Sequence, residues 1–342
     1  MGYILDSGLG QWRLFNRAQP VEKILKSPSA KEETKKAIRT VIAAKQFANE
    51  ELGLEATSSY REFVQLDGEY VTWVVVASDP LRLEAKKWRF PIVGEIPYIG
   101  FFSKDDAEKF ARGIREKENL DVFVRGAPAF SSLGWFPDPL YSSMISESER
   151  EIVDLVVHES FHATVWVNSQ AEFNERVANF IGLESSLHYL EKKYGSASPQ
   201  IVEAHAEIGG ERIFAAFIDQ IVKEFKTEIE AFAVTDPSKA YQKKAEFYKN
   251  LESKFEEFFK RNAAGKNLKK IKPSFKNWNN ANILNFKNYY YDFSPLSKLL
   301  KLCHSDIRRM IAVLKQQNKK KAFDKNPEEA IQSLLKLSVC EI

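Results

Sequence analysis

The chain has 342 residues, 44% of them hydrophobic, with a formal net charge of +3. That length buries a substantial core and suggests one large or two moderate domains. The near-neutral balance gives no electrostatic footprint for nucleic acid, and 25 Phe, 12 Tyr and 6 Trp exclude a disordered chain.

The two cysteines, Cys303 and Cys340, stand apart from each other and from the candidate site's histidines. They read as neither a disulfide framework nor a thiolate metal cage. No stretch approaches about 18 consecutive apolar residues, so no transmembrane segment is expected. The start, Met1-Gly2-Tyr3, lacks the basic and apolar regions of a signal peptide.

Residues 1–55 read as helices joined by a turn around 26–29. Ser29 and Glu32 make a capping-box pattern, followed by Ala37, Val41, Ala44 and Ala48 at helical spacing. Between 60 and 135 the texture is mixed. Residues 70–77 are a β-branched and aromatic run ending at Asp79-Pro80, the pattern of a buried strand. Segments 90–94 and 97–102 are extended pieces broken by Gly and Pro. Ser103 and Asp106 cap a helix with Ala107, Phe110, Ala111 and Ile114 on one face, and 120–124 returns to strand. After Ser146 the chain is almost wholly helical, with breaks at 195–199, 236–237 and 265–273. Residues 239–276 carry twelve Lys or Arg against four Glu, read as a solvated helix face, with contact to an anionic surface as the alternative.

The chemistry concentrates at the start of the helical part. Ser146 and Glu149 form a second capping-box pattern, and Ile152, Val153, Leu155, Val156, Val157 and Phe161 make the helix apolar over much of its surface. On a helix, residues four apart project in nearly the same direction, so His158 and His162 can bind one zinc ion. Glu159, displaced around the axis, reaches a water instead of the metal. Two ligands and a general base on one helix are what a metallopeptidase needs. A catalytic zinc takes three protein ligands. After a turn at 168–170 the next helix offers Glu172 and Glu175. Ala178, one turn on, permits close helix approach, which favours Glu175 as ligand, with Glu172 outside the ligand set or reading a substrate amine.

These residues belong to a longer ordered series. It runs through Gly10-Gln11, Leu14, Phe47-Ala48, Glu51-Leu52-Gly53-Leu54, Ser59-Tyr60, Trp73, Trp88 and Pro91 to Pro97-Tyr98 with Phe101-Phe102. It continues with Asp121-Val122-Phe123-Val124, Pro128 to Ser131, Leu133 to Pro139, Phe173-Asn174-Glu175, Asn279-Asn280-Ala281 and Tyr289. The series resembles a bacterial family of zinc aminopeptidases of the gluzincin type, marked by His-Glu-x-x-His and a downstream Glu ligand. The resemblance implies a zincin-like fold, one Zn2+ per chain and Glu175 as third ligand. Ser160 and Phe161 stand where the family has smaller or aliphatic residues, and 196–275 matches weakly. Related proteins carry an N-terminal lipoprotein signal, which favours a periplasmic or envelope-anchored location; a cytoplasmic one stays open.

The expected fold is α+β, a zincin-like metallopeptidase domain with a largely helical C-terminal half. Residues 1–145 form the α+β part and 146–342 the helical part carrying the ligands. The expected reaction is peptide-bond hydrolysis through a zinc-activated water with Glu159 as base. The resemblance places an oxyanion-stabilising Tyr or His in the C-terminal helical part, where Tyr289 is the candidate and Tyr290 its neighbour. It also places the peptide along an edge strand upstream, where 126–131, with Ala129 and Phe130, is the candidate. Glu172 or Asp138 could hold a free amine. Expected partners are a peptide substrate and no nucleic acid, with peripheral envelope association open. An endopeptidase, and a non-catalytic envelope protein with a structural or relic zinc site, remain as alternatives.

Overall fold

The run expected to be a buried strand is one, and it lies centrally in its sheet. A computed structural model of the chain describes residues 14, 16–90, 94–128, 137–146, 148–262, 278–289 and 292–337. Strand β1 (Gln19–Pro20) leads into helix α1 (Val21–Lys26) and then α2 (Glu32–Glu50). Helix α2 starts after Lys31 with no side-chain cap, so the Ser29–Glu32 box does not form. Eight side chains of α2, from Thr34 to Ala48, are buried.

Next come β2 (Glu62–Val64), β3 (Thr72–Ser78), β4 (Trp88–Phe90), β5 (Gly94–Ile96) and β6 (Ile99–Phe101). Helix α3 (Lys104–Glu118) is capped as expected, the Ser103 hydroxyl accepting from the Asp106 N–H. Strands β7 (Asp121–Ala127) and β8 (Leu140–Tyr141) complete the β elements among the described residues. Three small sheets result: β1-β2-β8, β6-β3-β7 and the pair β4-β5. Strand β2 runs antiparallel to β1, with Gln19 opposite Phe63, and parallel to β8, with Phe63 opposite Leu140.

From there the chain is helical: α4 (Glu149–Thr164), α5 (Ala171–Tyr194), α6 (Pro199–Glu228), α7 (Pro237–Arg261), α8 (Asn280–Tyr289), α9 (Ser294–Leu302), α10 (Ile307–Lys319) and α11 (Pro327–Leu337). The breaks at 195–199 and 236–237 fall where expected, at Gly195 with φ +87° and at Asp236, whose carboxylate caps the Lys239 N–H. The break at 265–273 lies outside the described residues. The fold is α+β, and among the described residues no helix is long and apolar enough to cross a membrane.

Two compact units interleave along the chain. The first comprises Met1–Trp73, Gly126–Ser198 and Phe293–Ile342; the second comprises Val74–Arg125 and Pro199–Asp292. The change of composition near 145 marks where strands give way to helices, and the units cut across it. In the first unit, α2, α4 and α5 enclose a core containing Ile38, Val153, Phe161, Phe180 and Ile181. Cys303, buried just after α9, is disulfide-bonded, which corrects the reading of the cysteines as unbridged. Cys340 lies outside the described residues.

The second unit has an aromatic core, with Phe214, Phe225, Phe247, Phe255 and Phe258 packed with Trp278 and Phe286. Asn280 ties its parts together. Its N–H donates to Asp121 Oδ2 at 2.9 Å, its Nδ2 donates to the Asp79 carbonyl at 2.8 Å, and its Oδ1 accepts from Tyr248 at 2.7 Å. In α7, Lys244 pairs with Asp121, Lys254 with Glu224, and Lys239 lies 4.1 Å from the Phe232 ring centre. Several of the basic residues in 239–261 are therefore engaged within the unit. Asn280→Ala removes the partner of the Tyr248 hydroxyl and leaves the Asp79 carbonyl with only the Ser78 hydroxyl, and should cost about 1–3 kcal/mol in denaturant unfolding with little change in slope.

Candidate metal centre

Helix α4 begins two residues later than the Ser146–Glu149 pattern predicts, with a capping box made by Ser148 and Glu151. The Ser148 hydroxyl accepts from the Glu151 N–H at 3.3 Å, and the Glu151 carboxylate accepts from the Ser148 N–H at 2.7 Å. Ile152, Val153, Val156, Val157 and Phe161 are buried, a gross gain on the order of 10 kcal/mol. That gain holds the helix in the core although its other stripe, Arg150, Asp154, His158 and His162, carries charge where desolvation is costly.

His158 and His162 converge. Their ring centres are 4.5 Å apart and their Nε2 atoms 2.9 Å apart. Glu175 straddles the pair, with Oε2 3.5 Å from His158 Nε2 and Oε1 3.5 Å from His162 Nε2. Tetrahedral ligands at about 2.0–2.1 Å from a zinc ion stand roughly 3.3–3.4 Å from one another. Two imidazoles and a carboxylate at this spacing form a triad that can hold a metal ion. His162 Nδ1 is buried with no hydrogen-bond partner among the described residues, and Trp166 packs edge-on against this ring, centres 5.4 Å apart.

Helix α5 brings Glu175 to the pair because its start is clamped. The Asn174 side chain, buried, accepts from the Val167 N–H at 3.0 Å and donates to the Val167 carbonyl at 2.8 Å. The amide thus pairs with both backbone groups of one loop residue, as a strand neighbour would, and sets the rotation at which α5 leaves the loop. Further along, α5 meets α4 with small residues. Ala178 is fully buried, and a Cβ on Gly182 would lie 2.2 Å from Asp154 Oδ1 and 2.7 Å from the Asp154 carbonyl oxygen. Glu172, three residues before Glu175, is exposed and lies outside the triad.

Burial would pull the His158 pKa down, but Glu175, with added field from Glu159 and Asp154, outweighs it and lifts the group to about 9. Burial would raise Glu175, yet the two histidines hold it well below the usual carboxylate range. Asp154 rises to about 6, because burial exceeds the help from Arg150 and His158. Tyr60 is buried with φ +63°, an unusual conformation for a bulky side chain, and its N–H donates to the Asp138 carbonyl at 2.6 Å. Burial first, then the charges of Glu159 and Asp138, push its phenol well above the usual value.

Ala129 and Phe130 lie outside the described residues. Tyr289 ends α8, and its side chain lies outside them too. The structural roles of Asn174, Asp154 and Tyr60 went unassigned in the sequence. Asp154 carried a usable signal, standing four residues before His158 on the same stripe.

An α+β fold with a two-histidine, one-carboxylate triad on adjacent helices defines a candidate metalloprotein. A family model described as "Putative aminopeptidase" matches residues 2–328, and the chain belongs to that family, which places it among peptidases. No curated protein and no solved structure matches the chain.

The protonated His158–Glu175 pair stabilises the metal-free chain fully below the ordinary His pKa of 6.5, and that contribution fades as pH rises through about 9. Metal must displace the proton. Uptake at pH 7 should therefore release about one proton from His158, and affinity should rise about tenfold per pH unit up to about 9. Calorimetry in buffers of different ionisation enthalpy reads the proton count. Separately, Asn174→Ala leaves the Val167 N–H unpaired and the Val167 carbonyl with only the Gln170 N–H, and should lower stability by about 1–3 kcal/mol in denaturant unfolding.

Proposed function

We propose that this protein is a zinc aminopeptidase with a zincin-like centre of the gluzincin kind, in which His158, His162 and Glu175 hold the ion and Glu159 is the general base. The observation that carries the reading is the convergence of two Nε2 atoms and one carboxylate in a chain that belongs to an aminopeptidase family. Two His and one Glu suit zinc well. When bound, zinc supplies Lewis acidity, making water a nucleophile near neutral pH and polarising the scissile carbonyl. Glu159 takes the water proton on a carboxylate oxygen and returns it to the leaving amine nitrogen. Glu159 follows His158 directly, so it is offset around the helix from the ligand stripe and faces the water, not the ion. His158, once its proton is displaced, and His162 would each hold the ion through an Nε2 lone pair, and Glu175 would compensate its charge. The substrate is a peptide with a free amino terminus. A periplasmic or envelope location belongs to the same proposal, supported by the disulfide at Cys303, since such bonds persist in oxidising compartments.

Glu159→Gln should retain about one zinc per chain and lose at least 100-fold in turnover of unblocked peptides. Full activity in that variant would remove Glu159 as base. Cleavage of N-blocked peptides at the same rate as free ones would make the enzyme an endopeptidase. Elemental analysis that finds no zinc, even after add-back, would overturn the metal reading.

A further inference from the structure

The first unit holds a cavity of about 900 Å³ among α1, the start of α2 and strand β2, and no residue of the metal triad lines it. Its wall includes Lys23, Ile24, Lys31, Glu33, Thr34 and Phe63. The volume falls within the range of small-molecule sites, about 300–1,000 Å³.

The start of α2 is left open on this wall. Lys31, which precedes the helix, provides no side-chain cap, and the Ser29 hydroxyl is hydrogen-bonded to that of Ser27 at 2.9 Å. The first N–H to reach a carbonyl in the helix is that of Lys35, bonded to Lys31 at 3.1 Å. The N–H groups of Glu32, Glu33 and Thr34 therefore have no partner among the described residues. They stand at the end of a 19-residue helix, where the dipole favours an anion.

Thr34 makes this more than a bare helix end. It is only 8% exposed, it lies on the cavity wall, and its hydroxyl has no hydrogen-bond partner among the described residues. Burying such a group without a partner is costly, and a molecule in the cavity would supply one. Lys23 and Lys31 stand exposed on the same wall, and neither makes an ion pair among the described residues. Arg17, also on the wall, is held by Asp67 at 2.6 Å. Glu33 offsets one of the two lysines, so the remaining charge is positive. A carboxylate has too few oxygens for three N–H groups, a hydroxyl and two ammoniums. A phosphoryl group, with three terminal oxygens and nearly two charges, matches them. Ile24 and Phe63 offer apolar surface to whatever carries it.

We propose that this cavity binds the phosphoryl group of a small phosphate ester or of a lipid headgroup, seated on the start of α2 with Thr34, Lys23 and Lys31 as its side-chain contacts. The site is independent of the zinc reading.

The test is titration of the full chain with inorganic phosphate, against chloride at matched ionic strength, followed through the amide NMR signals of Glu32, Glu33 and Thr34. Saturable shifts at these amides are expected, with a dissociation constant on the order of 1 mM. Thr34→Val, near-isosteric and neutral, should weaken binding about fivefold. Lys31→Ala should weaken it about threefold, and Glu33→Gln should strengthen it by about as much. Shifts that never saturate, or a constant that Thr34→Val and Lys31→Ala leave within twofold, would mean an adventitious ion only and overturn the inference. Should Thr34→Val fail to fold, Lys31→Ala, at an exposed position, carries the comparison. Co-sedimentation with phosphatidylglycerol vesicles, lost in Thr34→Val and competed by inorganic phosphate, would assign the phosphoryl group to a lipid headgroup. Saturable phosphate shifts without co-sedimentation would assign it to a soluble ester.

Discussion

The close crossing of α4 and α5 is the constraint on which the candidate centre rests. Two helices that carry charged side chains on their facing stripes normally separate to let water in. Here they are held at near backbone contact by Ala178 and Gly182, and by the apolar residues of α4 on the opposite stripe. Small residues alone would bring the helices together at any rotation. The Asn174 clamp on Val167 selects the rotation that turns Glu175 inward. Contact sets the distance and the clamp sets the angle, and the three candidate ligand groups meet because both are satisfied together.

Legibility in the sequence followed the range of the interactions. His158, Glu159 and His162 were readable because helical geometry relates them within a single turn. Glu175 was readable because a short link must return the next helix to the first, and Ala178 hinted at close approach. Cap residues were readable in kind but not always in register: Ser103 capped as expected, α4 used Ser148 instead of Ser146, and α2 started without a side-chain cap. Patterns three residues apart recur by chance in a chain rich in Ser and Glu, and packing selects among them. What stayed hidden was long-range. The Asn280 network joins residues on three separate segments, and the interleaving of the two units depends on which elements touch. The bond at Cys303 is likewise a tertiary fact that spacing alone does not announce.

The weight of the aromatic residues falls differently in the two units. In the second, phenylalanines pack on one another across α6, α7 and α8 and supply most of the core. In the first, aliphatic side chains dominate around α4, and the aromatic Trp166 stands at the edge of His162. Phe161 is the one aromatic core ring of α4, and Trp166 shields His162 from the side.

The three candidate ligands, the Asn174 clamp, the Gly182 contact and Asp154 all fall between residues 154 and 182, on two helices joined by a short loop. Such local wiring has a consequence for folding. A pair of helices of low contact order can assemble from its own stretch of chain, with α2 available to pack against it. The segment Phe293–Ile342, which completes the first unit, lies more than a hundred residues further along. Its helices would then close on a helix pair already formed.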